Sequence, residues 1–229
     1  IKVKSVMDSY WNWNKENFDW HFDSQKKVED VQYVGRFVSD KLESSVKSVV
    51  DVLLSDEDKF SEPRIKGTYY NKESQDFMEG YHNDLEKAGY DEHNTGGRQT
   101  RNLPPIFHKM AELSGLDNPQ IMFLEQPSGK IIPWHRDSYN NYRRNYAKVP
   151  DDTEVIRYLI QLNDWNWGHH VLVGNSAIHQ WKLGDIHCWE EGIYHSTANS
   201  GYWPRYCLTI TGIVTENSLH KKAPKKLVF

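Results

Sequence analysis

The spacing of apolar residues along this chain changes once, near Asn118, and the change divides it into two textures. From Val28 to Leu54, apolar residues fall at 28, 31, 34, 38, 42, 46, 49, 50 and 53. Steps of three and four place them on one stripe of a helix, interrupted at Gly35 and Ser39 into two helices. The piece "VQYVGRF" also fits an opening strand, and the pattern leaves both readings open. "SQDFMEGYHNDLEKAGY" predicts an amphipathic helix that ends at Gly89. "PPIFHKMAELSGL" predicts another, with proline at its start and Gly115 at its stop. Between them, "DEHNTGGRQTRN" reads as a polar loop.

Beyond Asn118 the runs shorten to "QIMFLEQ", "KIIPWHRD", "VIRYLIQLND", "HHVLVG", "IHQWKLGD", "IHCWEEG" and "RYCLTITGIVT". Many short β-prone runs separated by turn residues predict a sandwich, jelly roll or barrel. The expected organisation is one domain, with a helix-rich part over 1–118, a β core over 119–217 and a basic tail over 218–229. The tail's "HKKAPKK" reads as a solvated terminus.

Composition narrows the function. With 229 residues, 38% of them hydrophobic and 26% charged, the chain can bury the core of one ordinary domain. A net charge of −4 argues against nucleic acid as a bulk electrostatic partner. Cys188 and Cys207 are not spaced as a zinc site and suit a reducing compartment. No apolar run is long enough for a membrane helix, and "IKVKSVMDSYWNW" lacks the apolar segment of a secretion signal. A cytoplasmic location is therefore expected. The nine tryptophans and thirteen tyrosines are expected mostly in the core, including the "NDWNWG" cluster.

Candidate chemistry begins with His-x-Asp, which occurs at His21–Asp23, His82–Asp84 and His135–Asp137. In a helix, residues two apart point to different sides, which disfavours His82 with Asp84. His21 and Asp23 follow an aromatic stretch with no clear strand. His135 and Asp137 follow a strand-like run, where residues i and i+2 face the same way. Only that pair is aimed together. A third ligand must come from elsewhere, and the downstream histidines are His169, His170, His179, His187, His195 and His220. His195 is the best placed: it opens the segment after the "IHCW" strand, and Arg205 follows ten positions later at the head of "RYCLTITG".

This ordered set resembles the Fe(II)/2-oxoglutarate-dependent oxygenases, in particular the prolyl-hydroxylase-like and aspartyl/asparaginyl-hydroxylase-like enzymes. The set comprises His-x-Asp, a strand ending in "LND", a "GD" turn, and a His with an Arg ten positions on. The resemblance covers roughly residues 120 to 215 and implies an α+β protein with a mainly β core. That core would be a double-stranded β-helix, a cupin-like jelly roll, with N-terminal helices packed against it. It implies that His135, Asp137 and His195 bind Fe(II) and are catalytic, and that Arg205 holds the distal carboxylate of 2-oxoglutarate. The implied reaction consumes O2, hydroxylates a protein side chain or a small molecule, and releases succinate and CO2.

Elementary chemistry agrees. Two imidazoles and one carboxylate suit Fe(II) and leave positions open, and the planar fork of arginine suits a buried carboxylate. Such enzymes often carry a tyrosine before a Pro-Gly turn upstream of the first histidine. Here Gln126 of "EQPSG" stands there, which makes it a cosubstrate-binding candidate. Arg157 in "VIRYLI" is either a second cosubstrate contact or a salt-bridge residue. Asn199, between His195 and Arg205, is a further candidate for the pocket.

Relatives that repair alkylated bases carry a second arginine at the position of Thr211, and halogenases lack the carboxylate that Asp137 supplies. Both activities are disfavoured. The loop "SYNNYRRNYAKVPDD" is placed to act as a lid, and its Arg143, Arg144 and Lys148 either attract an acidic substrate or are merely solvated. The alternative from another class is a non-enzymatic cupin-type jelly roll that binds a ligand or a partner.

Overall fold

The structure, a computed structural model, describes residues 30–55, 85–91 and 93–229. His21, Asp23, His82, Asp84 and most of the helix expected before Gly89 lie outside the described residues.

The first apolar stripe splits at Gly35 and Ser39 into a strand and a helix, the strand being one of the two readings open for "VQYVGRF". Its first half is strand β1 (Gln32–Val38), and only the second half is a helix, α1 (Leu42–Ser55). Three- and four-residue spacing over a short apolar run does not separate the two states, and pairing on both sides decides for the strand. In α1, Leu42, Val46 and Val49 follow helical spacing and are buried. Strand β2 (Arg98–Thr100) lies inside the segment expected to be a loop. Helix α2 (Pro105–Leu113) has proline in its first turn, and Gly115 follows with φ 70°, as the start and stop signals predict.

The β core follows as β3 (Asp117–Gln126), β4 (Ile131–His135), β5 (Val155–Gln161), β6 (His169–Val173), β7 (Ser176–Ile178), β8 (Asp185–Trp189), β9 (His195–Asn199) and β10 (Arg205–Ile213). Of the run "IHQWKLGD", only its ends are in strands, and the rest is a turn. In the Gly184–Asp185 turn Gly184 has φ 88°, and a Cβ there would collide with the Phe37 carbonyl oxygen. The basic tail is not a loose terminus. Lys225–Val228 forms β11 and pairs in parallel with β1, while its lysine side chains stay in solvent.

Seven strands form one sheet in the order β11-β1-β8-β5-β10-β3-β2, and four form a second in the order β4-β9-β6-β7. Alternation along the strands gives the large sheet two different faces. Tyr158, Ile160, Ile186, Leu208, Ile210 and Phe123 point outward and make one core with Phe107 and Met110 of α2 and with α1. Leu159, Trp189 and Cys207 point inward, against Val171 and Val173 of the small sheet. Two facing sheets, antiparallel apart from the parallel β1–β11 pair, with flanking helices make this a double-stranded β-helix, a cupin-like jelly roll.

Candidate metal centre

His135 and His195 are brought together by strand register. They are direct partners across the antiparallel pair β4–β9, with ring centroids 4.2 Å apart. Both rings are oriented in the same way. Nδ1 of His135 lies 2.8 Å from the carbonyl oxygen of Pro133, and Nδ1 of His195 lies 2.9 Å from that of Ile193. A carbonyl accepts only from N–H, so each Nδ1 carries the proton and each Nε2 keeps its lone pair for a metal. Burial also holds His195 below the ordinary histidine pKa, so its ring is neutral at physiological pH.

Asp137 completes the set just past the end of β4. Its Oδ2 is 3.7 Å from His195 Nε2, and one ligand atom from each of the three residues lies within 4.8 Å of the others. It is the one such cluster of three or more His, Cys, Asp or Glu side chains among the described residues. Trp189 closes one side, its ring 4.9 Å from that of His195. Two imidazoles and one carboxylate can hold a divalent metal such as Fe(II) and leave coordination positions for other ligands.

The carboxylate is itself held. Arg157 on β5 donates from Nη1 to Asp137 Oδ2 and from Nε to Thr211 Oγ1 at 2.9 Å, and its guanidinium lies over the Tyr139 ring at 5.2 Å. Burial opposes the charge on Arg157, but the Asp137 carboxylate outweighs it and raises the pKa above the ordinary arginine value. Of the two roles open to Arg157, the ion pair is the one observed. Thr211 serves as the acceptor for this side chain.

Arg205 sits on the same inward face of β10, four strand residues before Thr209. It is 3% exposed, and Nε donates to Gln126 Oε1 at 3.1 Å. Among the described residues its Nη1 is buried with no hydrogen-bond partner, and none of them supplies a carboxylate to offset the burial that pushes this guanidinium's pKa down. Gln126 is fixed in turn, donating from Nε2 to Thr197 Oγ1 at 3.1 Å and to the carbonyl oxygen of Lys130 at 3.2 Å. Gln126 therefore orients Arg205.

The other candidates have structural work. Asn199 donates to the carbonyl oxygens of Gln126 and Trp203 and accepts from the Gly201 amide, clamping the β9–β10 loop. His169, His187 and His220 are absent from the ligand cluster. In "NDWNWG", Trp165 packs and donates to the His169 carbonyl, whereas Trp167 is exposed to solvent.

The expected lid contains a π-helical turn over Tyr142–Ala147. Arg143 is neither solvated nor free to attract a substrate: it is buried and donates to both oxygens of Glu191, at 2.9 and 2.5 Å. Glu191 also accepts from the Tyr139 amide at 3.0 Å, tying the segment after Asp137 to the β8–β9 turn. Arg144 pairs with Asp151, and Lys148 is exposed with φ 56°. Sequence reasoning missed Glu191, Tyr139 and Trp189, because their roles depend on contacts between segments far apart in the chain.

No protein-family model matches this sequence, and no curated protein matches it. Among solved structures, a prolyl-4-hydroxylase from Pseudomonas putida superposes with a TM-score of 0.53 at 13% identity, covering 82% of this chain and 94% of that one. A cupin domain from Bordetella pertussis matches with a TM-score of 0.32 at 14% identity, covering 53% of this chain and 97% of the other. A predicted oxalate decarboxylase from Thermotoga maritima gives 0.33 at 12%, over 52% and 81%. Likeness at such identities is likeness of fold. Fold and donor set together define the class: a double-stranded β-helix protein with a two-histidine, one-aspartate metal-binding triad. Such a class is consistent with the Fe(II)/2-oxoglutarate oxygenases.

Proposed function

We propose that this protein is an Fe(II)- and 2-oxoglutarate-dependent dioxygenase that hydroxylates a protein side chain or a small molecule. The observation that carries the reading is a pairing: a two-histidine, one-carboxylate triad shares one barrel interior with a buried arginine that has no carboxylate partner among the described residues. A metal-binding jelly roll without redox chemistry needs the first feature and has no use for the second. An uncompensated buried guanidinium is costly, and a buried carboxylate from a ligand would offset that cost.

His135, Asp137 and His195 would hold the metal, with Arg157 fixing the Asp137 carboxylate. Arg205 would bind the far carboxylate of the cosubstrate, oriented by Gln126. With both groups bound, the chemistry supplied is oxidative decarboxylation of 2-oxoglutarate to succinate and CO2, coupled to insertion of one oxygen atom of O2 into a C–H bond. Trp189 and Tyr139 shield this region from bulk water, and the exposed Arg136 and Ser138 mark the side that faces solvent.

The test is to add Fe(II) and then 2-oxoglutarate to the protein without oxygen and record the weak visible charge-transfer band of the chelate. The band is expected in the wild type and absent in His135→Ala, Asp137→Ala and His195→Ala, with His21→Ala and His82→Ala as matched controls. A folded wild-type protein that binds Fe(II) and gives no band, with no 2-oxoglutarate binding by calorimetry, would move the reading to a non-enzymatic cupin.

A further inference from the structure

Gln161, like Nη1 of Arg205, is buried without a hydrogen-bond partner among the described residues. It closes β5, is 0% exposed, and among the described residues neither Nε2 nor Oε1 of its side chain has a hydrogen-bond partner. A primary amide in that state loses its interactions with water on folding and regains none, at a cost far above that of a leucine of similar size. Buried polar groups are nearly always satisfied, so an orphaned amide calls for a ligand or a cause.

Register places this amide beside Arg205. In the large sheet β10 lies between β5 and β3. Gln161 is the direct partner of Cys207, and Gln126 is the direct partner of Arg205. Residues 205 and 207 are two apart on one strand and so share a face, which puts Gln161 diagonal to Arg205 on the barrel interior. Diagonal neighbours lie about 7–8 Å apart at the backbone, within reach of long side chains. Arg205 is thus flanked by two glutamines. Gln126 uses its oxygen on Arg205 Nε, whereas Gln161 and Arg205 Nη1 remain unsatisfied.

The same inward face of β5 carries, in alternation, Arg157 at the metal ligands, then Leu159, then Gln161. Leu159 and Cys207 belong to the apolar cluster between the sheets. The interior therefore has one metal-binding end, an apolar middle and one end with unpaired N–H donors.

We infer that Gln161 is a cosubstrate-selecting residue: with Arg205 it grips the distal carboxylate, so the site takes a 2-oxo dicarboxylate and rejects a 2-oxo monocarboxylate. The assignment rests on the oxygenase reading and deepens it. Nε2 of Gln161 donates to one carboxylate oxygen and Arg205 Nη1 to the other, while Oε1 accepts from a water that enters with the ligand. An apolar residue here would make a more stable ligand-free protein with a weaker grip, the usual exchange of stability for function at a binding site.

The experiment titrates 2-oxoglutarate and pyruvate, anaerobically, into Fe(II)-loaded wild type and Gln161→Leu, and records the melting temperature of each without cosubstrate. Gln161→Leu is expected to melt at or above the wild-type temperature and to bind 2-oxoglutarate about tenfold or more weakly, the loss of one hydrogen bond to a charged group. Pyruvate lacks the distal carboxylate, so its binding stays unchanged and the preference narrows by the same factor. Unchanged 2-oxoglutarate affinity in the variant overturns the assignment, and a lower melting temperature with that result marks Gln161 as structural. If Gln161→Leu does not fold, Gln161→Glu gives the same decision: its carboxylate pairs with Arg205, so 2-oxoglutarate binding is expected to fall over a hundredfold, and unchanged affinity overturns the assignment. A wild type that binds no 2-oxoglutarate brings down the oxygenase reading itself, and the assignment with it.

Discussion

Arg157 and Asp137 are joined side chain to side chain, through the same carboxylate oxygen that lies 3.7 Å from Nε2 of His195. A strand at the centre of the large sheet thereby sets the orientation of a ligand on the loop that leaves the small one. Partners that hold a metal ligand contribute about 10–100-fold to metal affinity. Arg157→Ala should weaken Fe(II) or Mn(II) binding within that range, read by competition with a chelator. Arg157→Lys should recover only part, since an ammonium cannot bond Asp137 and Thr211 with one fork. Unchanged metal affinity would detach Arg157 from the site.

Arg205 tests the cosubstrate end separately from the metal. Arg205→Ala should leave Fe(II) binding within a few-fold of wild type and weaken 2-oxoglutarate. A charge-assisted hydrogen bond is worth about 1.5–3 kcal/mol, which is about a tenfold to a hundredfold change or more. Arg205→Lys should recover part of that. Affinity unaltered in the folded Arg205→Ala protein would refute the clamp.

His187 should make the protein sensitive to acid without taking part in metal binding. Burial pushes its pKa down to about 4, with Asp185 opposing, so the folded state keeps it neutral where an unfolded chain with a pKa near 6.5 takes up a proton. Above pH 6.5 both states are neutral and the residue contributes nothing to pH dependence. As pH falls from 6.5 towards 4 the unfolded state alone binds the proton, and stability is lost, by about 2 kcal/mol at pH 5. In His187→Gln the fall in urea midpoint between pH 7 and pH 5 should be smaller than in wild type by that amount, with metal affinity retained. Loss of metal binding in a folded His187→Gln would reassign the ligands.

Glu191 should hold the strap after Asp137 shut. It accepts two bonds from the buried Arg143 and one from the Tyr139 amide. Glu191→Ala leaves that arginine without its carboxylate, at a cost of about 1.5–3 kcal/mol. The expected result is faster tryptic cleavage at Arg143, Arg144 or Lys148 at temperatures well below global unfolding. Cleavage at the wild-type rate would show that Thr153, which accepts from Arg143 Nε at 2.8 Å, holds the strap by itself.

The neighbouring histidines and the two glutamines mark the boundary between what the linear pattern contains and what the fold adds. Local signals were sufficient for α2, with Pro105 and Gly115 at its ends, and for the strands of "QIMFLEQ", "VIRYLIQ" and "RYCLTITGI", where β-branched and aromatic residues alternate faces. Strand parity also pointed to His135 with Asp137, although β4 ends at His135 and the bond from Arg157 is what holds Asp137 on the loop that follows. Parity would have flagged Gln161 as well, a polar residue on the same face as Arg157 in an otherwise apolar run.

Pairing is a different kind of information. Whether "VQYVGRF" is helix or strand depended on β8 and β11 lying on either side of it, and the fate of the basic tail depended on β1. That His195 meets His135, that Arg157 bonds Asp137, and that Gln161 lies diagonal to Arg205 are consequences of register between strands distant in sequence. By itself the sequence marked His135, Asp137, His195 and Arg205 as candidates and gave the face that strand residues such as Arg157 and Arg205 take, because side-chain alternation is a property of a single strand. Only the tertiary structure decided which of them meet, because a shift of one residue in any pairing would turn those side chains to the other face of the sheet.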